Sequence, residues 1–263
     1  MAYWVDSYTF QNSIEYEIKW AGNYGAKGEK RAPKKKPSKE QIIKQNQKNK
    51  EVYMRRVLKL NFTKEDLWVT LKYAKGTRKP LGQILKDMKN FQTAMRRHRK
   101  KMGEPYKWIR RIEIGKRGGI HIHMVINRVR GEPTDQVVRD KWKKYGKVHF
   151  ESLYEEDDFQ ALAEYIVKPV PEELEGQLEM FSPEEQKQLA MYSCSRNLER
   201  PKPKRKVYSR WTVRRMLEEG PKPTEGYYID KDSIVTGINL YTGMSYLRYT
   251  EIRLKPIRDG TGG

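Results

Sequence analysis

The chain has 263 residues and carries 55 Lys and Arg against 34 Asp and Glu, a formal charge of +21. An excess of that size opposes compaction by self-repulsion and calls for a polyanionic partner. No Lys-rich amphipathic stretch with a wide apolar face is present, so nucleic acid is expected rather than a membrane surface. A single cysteine, Cys194, excludes an internal disulfide, and no apolar run approaches the ~20 residues of a membrane helix.

The first ten residues lack the apolar run of a signal peptide, so a cytoplasmic protein is expected. Along the chain, Ser13 to Trp20 alternates polar and apolar types and predicts a strand. Ala21 to Pro37 is rich in Gly and Lys and contains Lys34, Lys35 and Lys36. The same composition serves a solvated linker and an arm that tracks phosphates. Lys39 to Leu60 predicts a helix with Ser38 as N-cap, and Asp66 to Tyr73 a strand with Leu67, Val69, Leu71 and Tyr73 on one face.

Leu81 to Lys100 predicts a helix with Ile84, Leu85, Met88, Phe91 and Met95 along one side. Its basic end, with Arg96, Arg97, Arg99 and Lys100, complements the helix dipole and is also a candidate nucleic-acid contact. Strands are expected over Tyr106 to Ile114 and Ile120 to Asn127, joined by the turn Gly115 to Gly119 with Lys116 and Arg117 as further candidate contacts. A helix around Thr134 to Tyr145, a strand near Val148 to Leu153 and a helix from Asp157 to Val167 follow, and Pro169 and Pro171 stop the last.

Glu172 to Leu198 reads as acidic and then helical. Arg200 to Lys206 reads as a basic, Pro-broken linker with Lys204, Arg205 and Lys206 as candidate contacts. Residues 226–255 read as strand-rich, with turns at Thr236-Gly237 and Thr242-Gly243. The alternation of strands and helices around a central hairpin indicates an α+β fold with an antiparallel sheet. Three parts are expected: an N-terminal strand and basic arm over 1–37, a central domain over 38–200, and a basic linker with a strand-rich extension over 201–263. No phosphate-binding loop of the G-x-x-x-x-G-K-[ST] kind is present, which argues against an ATP-driven motor on this chain.

Three residue groups carry chemistry. In His121-Ile122-His123, strand alternation aims both imidazoles to one face while Ile120, Ile122, Met124 and Ile126 face the core, a pairing suited to a divalent metal. Glu113 comes opposite His121, on the same face, if the hairpin loop has an odd number of residues; a one-residue slip turns it away. Tyr165 lies roughly 110° from the centre of its helix's apolar stripe and close to Lys168, a position to meet a ligand. A phenol has a pKa of about 10 and needs a neighbouring cation and a polarised electrophile to attack phosphate.

The order of a hydrophobic strand ending in Thr70-Leu71, then His121-Ile122-His123, then Tyr165-x-x-Lys168 resembles the HUH endonucleases. The closest likeness is to single-tyrosine rolling-circle replication initiators of phages, plasmids and integrative elements, and it spans about residues 60–170. Tyr192 to Leu198 also looks like a segment that follows this domain in phage-type initiators. The resemblance implies an RRM-like sheet with helices packed on it, His121, His123 and Glu113 as ligands of Mg²⁺ or Mn²⁺, Tyr165 as nucleophile and Lys168 against the scissile phosphate.

It further implies single-stranded DNA at a replication origin (or extruded from a hairpin) as substrate, a 5′-phosphotyrosine and a free 3′-hydroxyl as products, and a host helicase and polymerase as partners in a bacterial cell. Two features depart from the pattern. Lys72 stands where many relatives have a small polar residue, and Pro169 follows Lys168 with no second tyrosine one turn away, which leaves open how a second strand transfer is made. The alternatives are a relaxase or transposase of the same chemistry, and a non-catalytic RRM-like nucleic-acid binder whose histidines are ordinary polar-face residues.

Overall fold

A computed structural model describes residues 2–22, 32–77, 79–114, 119–153, 158–169, 182 and 192–255. The chain divides into two compact units, Met1–Asn46 with Pro201–Gly263, and Gln47–Arg200. The architecture is α+β, with two antiparallel five-stranded sheets.

The first unit is built on the order β8-β1-β2-β10-β9, where β1 is Tyr3–Thr9, β2 Ser13–Trp20, β8 Lys204–Tyr208, β9 Tyr227–Asn239 and β10 Met244–Arg253. Tyr3, Val5, Ile18, Leu247 and Tyr249 form its core, and a helix, α5 (Arg210–Glu219), closes that core with Val213, Met216 and Leu217. Two expectations are corrected. The basic stretch ending at Lys206 is not all linker: its second half is an edge strand on β1, with Val5 opposite Lys206 and Asp6 opposite Arg205. Exposed lysines are what an edge strand tolerates and what keeps it from pairing further. Thr236-Gly237 is no turn, because β9 runs through it, with Gly237 opposite Tyr246; the turn lies at Thr242-Gly243.

The second unit holds the sheet β6-β3-β5-β4-β7, where β3 is Leu67–Tyr73, β4 Trp108–Ile114, β5 Ile120–Ile126, β6 Gly146–Ser152 and β7 Ser193–Cys194. On one face Leu67, Val69, Leu71, Ile112, Ile122, Met124 and Ile126 pack against α2 (Leu81–Met102) and α3 (Thr134–Trp142). On the other, Trp68, Ile109 and Val125 meet α1 (Lys39–Asn61) and α4 (Gln160–Val167). The central strands are therefore covered on both faces, which explains why β3 is apolar beyond simple alternation.

Local chemistry fixes the ends of these elements. Ser38 Oγ accepts from Gln41 N–H while Gln41 Oε1 accepts from Ser38 N–H, a reciprocal cap that starts α1 where the sequence places it. Gly103, at φ 73°, ends α2 and donates back to Arg99 and Lys100 carbonyls. Gly146 opens β6 where a Cβ would lie 2.2 Å from the Lys72 carbonyl oxygen, so a side chain there would push β6 off β3.

The expected helix to Tyr145 stops at Trp142, and the next strand begins earlier, at Gly146. Most of the expected helical segment before Leu198 lies outside the described residues. Its described end is strand β7, paired with Ile109 and Arg110 at the edge of β4. Among the described residues no helix is long and apolar enough to cross a membrane.

Candidate active site

Strand register sets out the site. Thr70, His123 and Arg111 lie abreast on β3, β5 and β4, and Lys72, His121 and Glu113 form the next row on the same face. Residues 115–119 separate the two strands, an odd loop, so Glu113 falls opposite His121 as the alternation requires. The facing side of the sheet carries Ile122 and Met124, both fully buried, which anchors the histidines' strand against slippage.

The tyrosine arrives from above. Helix α4 begins three residues later than the sequence suggests, because Asp158 and Phe159 adopt left-handed backbone at φ 53° and 67°. Non-glycine residues there cost roughly 1–2 kcal/mol each, so something must hold them. Asp158 is tied to Arg55 and Lys59 on α1, and Phe159 packs into the cluster beneath α4. Ala163, Ile166 and Val167 then bury against the sheet, and Tyr165 is carried to its edge-on contacts with Trp68 and His123, at ring-centroid distances of 5.6 and 5.2 Å.

The Tyr165 hydroxyl donates to Glu113 Oε2 at 2.6 Å. The Lys168 ammonium pairs with the other Glu113 oxygen and lies 4.0 Å from the centroid of the Tyr165 ring. Four of the five residues singled out from sequence thus touch one another, and His121 stands beside them with its ring centroid 6.1 Å from that of His123.

Electrostatics follow from this crowding. Burial opposes ionisation of Glu113, yet His123, Lys168 and Tyr165 around it hold its carboxyl well below the usual carboxylate range. Burial, reinforced by the hydrogen bond and charge of Glu113, pushes the Tyr165 phenol up. Burial and the nearby Lys72 lower His121, so its neutral form, the one that can ligate a metal, is favoured.

His123 shows where a cation fits. Its Nδ1 is 3.1 Å from Thr70 Oγ1, whereas its Nε2 is buried, has no hydrogen-bond partner, and lies 3.1 Å from Glu113 Oε2. Two ligands at right angles, each ~2.1 Å from one ion, are about 3 Å apart. His123 and Glu113 therefore fit as neighbouring ligands. Among the described residues no three His, Cys, Asp or Glu side chains already surround one point, so His121 would have to turn to join them.

Three neighbours escaped the sequence reading. Trp68 stacks on His123 with an interplanar angle of 18°, Thr70 contacts its Nδ1, and Arg111, only 3% exposed, donates to the carbonyls of Ile166 at 2.9 Å and Lys168 at 2.6 Å. The available signal was parity: Arg111 sits two residues before Glu113, so it shares the histidines' face, and a cation there needs acceptors.

The basic residues are dispersed. Arg96, Arg97 and Lys100 are exposed on α2, but Arg99 is 1% exposed and bound to Glu132, Asn127 and Thr134, so its candidacy as a nucleic-acid contact is corrected to a structural role. Lys34, Lys35, Lys36, Lys204 and Lys206 are exposed in the first unit, and Arg205 is exposed while paired with Asp6. Lys116 and Arg117 lie outside the described residues.

The fold and site define an α+β protein with a tyrosine, an acid and two histidines on one sheet face. Residues 66–170 match the family model of replication-associated proteins of the ORF2 type. That span runs from the start of β3 past Lys168 and takes in all five converging residues. The match supports a role in DNA replication for this region. No curated protein and no solved structure matches the chain.

Proposed function

We propose that this chain is a metal-dependent single-stranded DNA nickase of the HUH type that initiates rolling-circle replication. The observation that carries the reading is the contact chain from Tyr165 hydroxyl to Glu113 to the unpartnered Nε2 of His123, within the span that matches replication-associated proteins. Mg²⁺ or Mn²⁺ held by His123, Glu113 and His121 would supply positive charge against a nonbridging oxygen of the scissile phosphate.

The remaining steps belong to the chain's own residues. Glu113, engaged as a ligand, stops holding the phenolic proton and frees Tyr165 Oη. Lys168, beside the ring, favours the ionised phenol. Tyr165 Oη then bonds to phosphorus in line with the departing 3′ oxygen, and the P–O3′ bond breaks. The proton lost from the phenol is balanced by one gained at the 3′ oxygen. The products are a 5′-phosphotyrosine and a 3′-hydroxyl, with the number of phosphate ester bonds unchanged. That hydroxyl would prime a host polymerase while a host helicase opens the duplex, and the basic surface would hold the backbone with salt-sensitive affinity.

The test is covalent-adduct formation with single-stranded DNA from the chain's own genetic neighbourhood, in Mn²⁺ or EDTA, on a denaturing gel. A metal-dependent adduct lost in Tyr165→Phe is the expected result. An adduct that survives Tyr165→Phe refutes the nucleophile, and salt-sensitive binding without any adduct refutes nicking and favours a non-catalytic binder.

A further inference from the structure

The first unit carries a surface that the nicking site does not use. Seven Lys and Arg fall within residues 202–217, with no Asp or Glu among them. They are spread over β8 and α5. Strand pairing puts Lys204 and Lys206 on the face of the sheet that α5 covers, since they lie opposite Ser7 and Val5, and Val5 packs in the core under that helix.

Helix α5 itself is two-sided. Val213 is 1% exposed and Met216 and Leu217 pack beside it, whereas Trp211, Arg214 and Arg215 face outward. Ser209 caps the first turn by accepting from Thr212 N–H, and that turn contains no acidic residue.

Trp211 is left 60% exposed. A lone exposed apolar residue needs no explanation, but this one is framed by cations. The guanidinium carbon of Arg210 lies 4.7 Å from its ring centroid and that of Arg214 5.9 Å. An accessible indole with guanidinium groups against it, on a face with no carboxylate in its first turn, is the arrangement that stacks a base and neutralises the phosphates beside it. A duplex keeps its bases stacked on one another and has no base to offer such a ring.

We propose that the β8–α5 face binds single-stranded DNA, with a base stacked on Trp211 and backbone phosphates taken by Arg210, Arg215, Lys204 and Lys206. Arg205 is excluded from this set because Asp6 holds it through both its Nε and an Nη. The choice of DNA as partner rests on the replication reading, but the surface lies within the first unit and requires nothing of Tyr165.

The experiment uses the full chain in EDTA, with fluorescence anisotropy of a labelled oligothymidylate and of a labelled duplex over a range of salt. Trp211→Ala is expected to weaken single-strand binding by about tenfold, and Trp211→Phe to restore most of it. Arg210→Gln with Arg215→Gln is expected to reduce the slope of log affinity against log salt by about 1.4, two phosphate contacts at ~0.7 each. Because Trp211 is exposed, unchanged thermal unfolding of Trp211→Ala shows that binding and not folding is being read. Unchanged single-strand affinity in Trp211→Ala, or a loss confined to the duplex, overturns the proposal. Absence of a covalent adduct in the wild-type chain would sink the nicking reading and leave this binding result standing.

Discussion

Replacing Arg111 by methionine removes the group that holds the end of α4 without touching Tyr165. Arg111 is buried beside His123 on the neighbouring strand, and its Nη1 donates to the carbonyls of Ile166 and Lys168, which follow Tyr165 in the chain. A hydrogen bond from a charged donor contributes ~1.5–3 kcal/mol, and each carbonyl left without a partner costs ~1–3 kcal/mol. Methionine offsets part of this, because a guanidinium no longer has to be desolvated. The net loss is about 3 kcal/mol, a fall of roughly 6–12 °C in the melting temperature for a unit of this size.

The functional effect is separable from stability. Release of residues 166–168 lets the Tyr165 oxygen drift by about 1 Å, enough to slow an in-line attack by roughly a hundredfold. Single-turnover adduct formation at saturating DNA and Mn²⁺, well below the melting temperature, should therefore fall by about that factor, while the affinity for DNA stays within about twofold. Arg111→Lys should recover only part of the rate, since one ammonium cannot match the fork reaching both carbonyls. A methionine variant that melts lower but forms adduct at the wild-type rate would refute the positioning argument.

Two further outcomes follow from particular contacts. Thr70→Val keeps the shape of β3 but removes the partner of His123 Nδ1, so the ring loses its orientation; the Mn²⁺ concentration for half-maximal adduct formation should rise roughly ten- to a hundredfold, and an unchanged metal dependence would refute the ligand role of His123. In the first unit, the Arg205 hydrogen bonds and the Lys19 ammonium outweigh burial and lower the pKa of Asp6, whose side chain is 1% exposed. A lowered carboxylate pKa means stability that is complete above the unfolded-chain value of about 3.9 and lost as pH falls from there through the folded value. Asp6→Asn should cost about 2 kcal/mol at pH 7, less than a fully buried pair because Arg205 and Lys19 keep contact with water, and should flatten the acid-induced loss of stability followed by circular dichroism between about pH 7 and 3. Parallel stability curves for the two proteins would contradict this.

The parts of the site legible in the sequence were those governed by period and parity. Alternation on β5 fixes the shared face of His121 and His123, and an odd loop fixes Glu113 opposite His121; both follow from neighbours in sequence. What stayed hidden depends on which distant strand or helix comes alongside. Trp68 reads as one more apolar residue of β3 until β5 brings His123 beneath it, and Arg111 reads as surface charge until α4 lays its last carbonyls across β4.

The same reason accounts for β8. Residues 200–206 have the composition of a linker, and their second half becomes a strand because β1, some two hundred residues earlier, offers an open edge and Asp6 to receive Arg205. Composition reports what a segment can bury, and here the segment buries almost nothing: its order comes from backbone pairing and one ion pair. Local sequence is least informative where tertiary partners supply the order, and in this chain those places include the residues that position the tyrosine and the edge that presents the basic face.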